Sequence, residues 1–259
     1  MTDLQALVEG FESVTTASVA DAVDRVARRP GFMSHEIKPI APAKMVGPAV
    51  TVLERQALEA QPPIHALEAI DAAAPGDVIV IGMEDPPGSR NVACWGGLMA
   101  TAAVTRRLGG AVLDAGVRDV EEIRQLGFPV FARSVIPSTT VGRYVTVDRD
   151  VPVVCGGVRV HPGDILVGDA DGVVVVPRAQ AAQVLAVARE SGVEVFHVDL
   201  GALNDSGVHG HVLLQRRGDT LSVKVVAHGL TPEQMHMQHI HGFTQGGMAV
   251  QDATCPTPA

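Results

Sequence analysis

Aromatic side chains are scarce in this chain of 259 residues: they make up 3%, with a single tryptophan and a single tyrosine. A core must therefore be built from Val, Ala, Leu and Ile, and hydrophobic residues at 46% supply enough for a globular protein. Cys94, Cys155 and Cys255 are odd in number, widely spaced and without a C-x-x-C pair. That pattern fits reduced thiols and excludes a disulfide frame. Basic clusters are missing too. Arg106-Arg107 and Arg216-Arg217 are isolated pairs and the formal charge is −9, so a nucleic-acid partner is not expected. No basic leader precedes an apolar stretch, and no apolar run approaches the roughly 18 residues of a membrane span. The expectation is a soluble cytoplasmic protein with no membrane partner.

What is present is a series of short apolar segments punctuated by glycine and proline. Leu4, Leu7, Val8 and Phe11 recur at helical spacing and predict an opening helix. Ser18 and Asp21 stand at capping-box separation, predicting a second helix that Arg28-Arg29-Pro30-Gly31 stops. Residues 45–53 are β-rich but contain Gly47-Pro48, which predicts an irregular or edge strand. A helix over 65–74 places His65 as a structural or exposed side chain. Val78-Ile79-Val80-Ile81 reads as a buried strand, and the polar loop 82–91 after it is long enough to be functional. Trp95 either walls a pocket or packs in the core. Further strands are predicted over 128–132, 164–167 and 172–176, a hairpin over 151–160, and a helix over 178–189. The pattern is α/β with one main domain.

One stretch gathers charge. The short apolar run Gly110-Ala111-Val112-Leu113 predicts a strand buried on both faces, and Asp114, Arg118, Asp119 and Glu122 follow it. Open α/β sheets bind ligands at the carboxyl ends of their strands. Upstream, the turn Gly96-Gly97-Leu98-Met99 opens a helix whose first N–H groups suit an anion. A guanidinium beside three carboxylates suits an anionic substrate and a divalent cation. The same residues also suit an ordinary ion pair at a strand end.

Twenty residues separate Gly97 from Arg118, and Asp119 and Glu122 follow at once. This spacing resembles the G-x20-R-D-x2-E/D signature of class II pyruvate aldolases acting on 4-hydroxy-4-methyl-2-oxoglutarate and 4-carboxy-4-hydroxy-2-oxoadipate. That family shares its fold with the RraA-like regulators of ribonuclease E. The resemblance runs over residues 16–189 and includes Val46-Gly47-Pro48-Ala49-Val50-Thr51, Pro75-Gly76-Asp77-Val78, Phe128-Pro129-Val130-Phe131-Ala132, Gly156-Gly157-Val158 and Asp169-Ala170-Asp171-Gly172 with the valines after it. It implies a three-layer β/β/α sandwich over residues 1–200, assembled as a homotrimer or homohexamer with sites between subunits. It implies that Asp119 binds Mg2+ or Mn2+ directly and that Glu122 holds metal-bound waters. Arg118 would be the catalytic group, contacting the pyruvyl end and stabilising the enolate oxygen. The turn at Gly96 would present the N–H groups of Gly97, Leu98 and Met99 to a substrate carboxylate. Asp114 would stand behind the metal ligands, although the usual Asp-Gly text here reads Asp114-Ala115-Gly116. The family's acidic residue from a neighbouring subunit has no assignable counterpart.

The last sixty or so residues differ in character. Seven of the ten histidines lie between His197 and His241, and the family pattern fades after Glu194. Residues 212–215 and 221–227 predict a hairpin, hence a β-rich C-terminal appendage over 201–259. Ala227-His228-Gly229-Leu230-Thr231-Pro232 and His239-Ile240-His241-Gly242 resemble pieces of copper/zinc superoxide dismutase and chordin-type β-sandwich domains, over one hairpin and a loop only. His236, His239 and His241 have spacing that suits Zn2+ or Cu2+, and equally a histidine-rich tail that binds nothing.

Chemistry narrows the choice. Retro-aldol cleavage of a 4-hydroxy-2-oxo acid develops charge on a pyruvate enolate, which enzymes meet with a lysine Schiff base or a Lewis-acid metal. Lys38, Lys44 and Lys224 are the only lysines, and none has the apolar strand-end setting that lowers an ammonium pKa. The metal route therefore fits better, and with it the resemblance implies metal-dependent cleavage of a 4-hydroxy-2-oxo dicarboxylic or tricarboxylic acid to pyruvate, with oxaloacetate decarboxylation through the same enolate. Two other readings stand beside it. One is a non-enzymatic regulator of the ribonuclease E inhibitor type, and the other is a different metal-dependent 2-oxo acid lyase or decarboxylase.

Overall fold

The computed structural model describes residues 4–41, 44–84, 91–191, 193–201, 207–217, 220–230, 243–245 and 248–251. The chain divides into two compact units, Met1–Val193 and Glu194–Ala259. The opening helices form as the spacing predicts, α1 over Leu4–Glu12 and α2 over Thr16–Ala27. The cap of α2 is Thr15 rather than Ser18: its hydroxyl accepts the Ser18 N–H at 3.2 Å, satisfying a donor that the first turn leaves open.

The first unit is an α/β sandwich. Four strands, β2 (Met45–Gln56), β3 (Val78–Met83), β5 (Gly110–Val117) and β6 (Val130–Val135), lie side by side in parallel. Antiparallel β1 (Lys38–Pro39) borders β6, and β7 (Tyr144–Arg149) pairs with the far half of β2. Side chains alternate across this sheet. Ile79, Ile81, Ala111, Leu113, Val130 and Ala132 face α3 (Ile64–Ala72), α4 (Gly97–Thr105) and α5 (Val120–Leu126). Val78, Val80, Val112 and Phe131 face a second β layer, made of β10 (Ile165–Asp169), β11 (Gly172–Val176) and the hairpin β8 (Val153–Cys155) with β9 (Val158–Val160). Burial on both faces is why the strands read as unbroken apolar text. Beyond the three β/β/α layers, the outer face of β10 and β11 is covered by α1, α2 and α6 (Ala181–Ser191).

The segment around Gly47-Pro48 is not an edge strand. Met45–Pro48 pair with β10, and from Ala49 onward β2 pairs with β3. Pro48 falls at the handover. The Ala49 N–H donates toward the β10 side, to Asp164 O at 2.8 Å, so the position where Pro48 lacks an N–H faces β3 before that ladder begins. Gly47 is needed because a Cβ there would lie 2.1 Å from the Gly76 carbonyl oxygen.

In the second unit, β12 (Val193–Leu200), β13 (His209–Arg217) and β14 (Thr220–His228) form a three-stranded sheet, so the predicted hairpin is present and longer than predicted. Residues 85–90 of the predicted functional loop, and His236, His239 and His241, lie outside the described residues. Among the described residues no helix is long and apolar enough to cross a membrane.

β2 carries a buried carboxyl near its end. Glu54 is fully buried, and neither oxygen has a hydrogen-bond partner among the described residues. Desolvation pushes its carboxyl up to about 8, so it holds its proton at neutral pH. A folded-state value above the unfolded one means the folded protein binds the extra proton. The stability from this group is complete below the ordinary carboxyl range and is lost as pH rises through about 8. Chemical denaturation from pH 5 to pH 8 should therefore show the parent losing about 1 kcal/mol per pH unit relative to Glu54→Gln. Parallel stability curves for the two proteins would contradict this placement of the proton.

Candidate active site

The twenty-residue spacing has a structural reason. β4 (Ala93–Trp95) lies parallel to the far half of β5, with Trp95 beside Val117. The chain leaves β4 at Gly96, runs through α4, and returns along β5 to Arg118 beside the point it left. The Arg118 N–H donates to the Trp95 carbonyl at 3.0 Å, closing the two strand ends together.

Asp119 then turns the chain. Its backbone is left-handed (φ 56, ψ 39), a conformation Asp tolerates better than most residues, and it serves as the N-cap of α5. Its Oδ2 accepts the Gly97 N–H at 3.0 Å and stands 3.6 Å from Arg118 Nε. Glu122, in the first turn of α5, brings its carboxylate against the same glycine. A Cβ on Gly97 would lie 2.0 Å from Glu122 Oε2, and one on Gly96 would lie 2.8 Å from Asp119 Oδ2. Gly96 itself is extended (φ −156), so its torsion is open to any residue, and a side chain there would displace the Asp119 carboxylate. The two missing side chains leave the space that the two carboxylates occupy.

The cluster faces solvent-accessible space. Arg118 and Asp119 are 43% and 45% exposed and line a 250 Å³ cavity together with Trp95, Gly96, Leu98 and Met99. A second cavity of 230 Å³, beside Val135, Ile136 and Pro137, shares Arg118 and Asp119. The first N–H of α4 with an intrahelical acceptor is that of Ala100, which donates to Gly96 O at 3.0 Å. The Leu98 and Met99 N–H groups have no acceptor within the helix, while Gly97 donates to Asp119. Trp95 is both wall and core: it is buried and stacks on Phe128 with ring centroids 6.1 Å apart.

Asp114 keeps different company. It is 1% exposed, accepts from Arg133 Nε at 2.9 Å and from the Gly156 N–H at 2.7 Å, and Arg133 reaches on to Glu36. Burial pushes the Asp114 carboxyl up, and the Gly156 N–H and Arg133 pull it back part of the way. This buried network ties β5, β6 and the β8–β9 hairpin together. Sequence reasoning missed Arg133, Glu36 and Glu54. The available signal was a charged residue inside an otherwise apolar strand, as at Arg133 and Glu54.

Among the described residues, no group of three or more His, Cys, Asp and Glu side chains is arranged to enclose a metal. Asp119 and Glu122 together offer two oxygen donors beside a glycine cradle. Carboxylate oxygens of this kind suit a hard divalent cation.

The RraA-like family, described as Aldolase/RraA, matches residues 16–175. The chain belongs to this family. A Halalkalibacterium halodurans protein provisionally named 4-hydroxy-4-methyl-2-oxoglutarate aldolase is 35% identical over 185 residues, covering 70% of this chain and 80% of that protein. The protein DlpA of Legionella pneumophila is 30% identical over 181 residues, which are 69% of this chain but 29% of that longer protein. Among solved structures, Streptomyces coelicolor RraAS2, an unusual member of the RNase ES inhibitor RraA family, superposes with a TM-score of 0.65 at 28% identity. That match covers 71% of this chain and 91% of RraAS2.

The two aspartates should behave oppositely. Asp114→Asn takes a charge out of a buried ion pair and should cost about 3 kcal/mol of unfolding free energy. Asp119→Asn disturbs a half-exposed pair and should cost about 0.5 kcal/mol or less. Urea titrations measure both. Equal losses would contradict the separation of a structural aspartate from one available for chemistry.

Proposed function

We propose that this chain is a divalent-cation-dependent lyase that cleaves a 4-hydroxy-2-oxo dicarboxylic or tricarboxylic acid and releases pyruvate. The observation that carries the reading is the convergence of Arg118, Asp119 and Glu122 on the Gly96-Gly97 cradle at the ends of β4 and β5. A relative of 35% identity with the aldolase name supports it. Because the fold is shared with RraAS2, the reading rests on the residues at the cradle and not on the fold.

In this reading Asp119 and Glu122 hold Mg2+ or Mn2+, and the likeness to aldolase-family proteins supports a divalent cation in general. When bound, the cation supplies Lewis acidity toward the 2-oxo group and the developing enolate. The chain's own residues do the rest. Arg118 offers a planar, permanently charged fork to the pyruvyl carboxylate and enolate oxygen. The Leu98 and Met99 N–H groups, at the positive end of α4, hold a substrate carboxylate. If Asp119 held a cation through Oδ2, the Gly97 N–H that this oxygen accepts would be free to join them. The C3–C4 bond breaks, its electron pair forms the enolate, the C4 hydroxyl loses its proton as C4 becomes a carbonyl, and C3 is protonated to give pyruvate. Oxaloacetate decarboxylation passes through the same enolate. We further propose that residues 1–200 carry this chemistry, in the cytoplasm, as a homotrimer or homohexamer whose neighbouring subunit supplies a further acidic group.

A panel of 4-hydroxy-2-oxo acids and oxaloacetate, assayed for pyruvate with and without Mg2+, tests the reading. Chelator-treated protein should lose pyruvate release, and Mg2+ or Mn2+ should restore it; full activity in metal-free buffer would sink the proposal. Arg118→Lys should lower turnover on the order of a hundredfold although charge is kept, because a point ammonium does not reproduce the fork. Near-normal turnover would leave Arg118 as a surface ion-pair residue.

A further inference from the structure

We propose that His209 and His228 form a two-imidazole site for a borderline divalent cation, Zn2+ foremost, at the open end of the β13–β14 hairpin. The register sets the two directly opposite one another at the last pair of the ladder. Their rings lie face to face, with centroids 5.4 Å apart and planes 28° from parallel. Because side chains alternate, the sheet face of this pair carries His209, His211, Leu213, Lys224 and Val226, while Leu214, Val223 and Val225 occupy the other. Both rings are exposed, so an ion reaches them from solvent.

One ring is already oriented for a metal. His209 Nδ1 lies 3.1 Å from the Gly207 carbonyl oxygen. A carbonyl only accepts, so Nδ1 carries the hydrogen and the lone pair stands on Nε2 of the neutral ring. Metal-ligating histidines are held in this way by donating their other N–H to a fixed acceptor. The carbonyl is itself fixed by a turn. Gly207 is left-handed (φ 72), Gly229 turns the chain after His228 (φ 80), and a Cβ on Gly229 would lie 3.2 Å from Gly207 O. Those glycines draw the open ends of the two strands together, and a turn of the exposed His228 ring out of the stack would bring both imidazoles to adjacent positions around one tetrahedral ion, with water in the others. Imidazole favours Zn2+, Cu2+ or Ni2+, whereas Mg2+ and Mn2+ prefer oxygen. The site is thus chemically distinct from the Asp119–Glu122 pair, and it stands whether or not the chain cleaves 2-oxo acids.

The test uses the full chain carrying His236→Ala, His239→Ala and His241→Ala, which removes the other histidine cluster. It is titrated with ZnCl2 in a calorimeter under excess Mg2+, which competes at oxygen sites. One equivalent of Zn2+ should bind, and His209→Gln or His228→Gln should each weaken binding about tenfold or more. Imidazole-nitrogen NMR on the protein with both histidines intact gives a readout independent of those variants. Zn2+ should move the Nε2 resonance of His209 while Nδ1 stays protonated. No zinc binding in the parent, binding unchanged in both variants, or an unmoved His209 resonance would overturn the proposal.

Discussion

The cluster depends on how closely two strand ends approach. β4 and β5 run parallel and end together, with Arg118 tied to Trp95 through the backbone, so whatever follows each strand is forced against the other. On one side follow two glycines and the open end of a helix. On the other follow an arginine, a left-handed aspartate and a glutamate. A side chain at Gly97 would have to displace the Glu122 carboxylate, which stands in that space. A glycine, a charge pair and a helix N-terminus are each common features. Their value here comes from being held within contact distance by a rigid parallel sheet buried on both faces.

The charges divide into two kinds of work. Asp114, Arg133 and Glu36 form a buried network whose members stabilise one another and hold the β8–β9 hairpin against the parallel sheet through Gly156. Breaking such a network is costly because it leaves a charge in low dielectric. Arg118 and Asp119 are half exposed, and their mutual attraction contributes little to folding. Charges that are not required for stability and are confined beside cavities are free to meet a ligand. The difference follows from where the strand leaves each residue: Asp114 is still within β5, and Arg118 is just past its end.

Much of this was legible in the sequence. Apolar runs located β2, β3, β5, β6 and β8–β11 but not β1, β4 or β7, and the interval from Gly97 to Glu122 drew attention through its resemblance to the aldolase signature. The failures also have physical causes. Gly47-Pro48 suggested an irregular or edge strand, and the edge alternative fails because the handover of β2 from β10 to β3 is a tertiary arrangement that local text does not encode. Asp114 was expected behind the metal ligands, and local text did not reveal its partners, which come from 19 and 42 residues away. Glu54 drew no attention because its burial depends on the strands that β2 joins on either side. The cross-strand pairing of His209 with His228 required the hairpin register, which composition alone does not supply.

The central claim is that the carboxylates at the Gly96-Gly97 cradle hold a divalent cation, and Mn2+ electron paramagnetic resonance tests it most directly. Free Mn2+ gives a strong signal that falls when the ion binds. Titration of the protein should therefore show a bound fraction that Mg2+ displaces, that Asp119→Asn abolishes and that Glu122→Gln weakens. Asp114→Asn, assayed at a temperature where it remains folded, should retain binding. Binding that survives Asp119→Asn but disappears in Asp114→Asn would move the cation to the buried network and contradict the account.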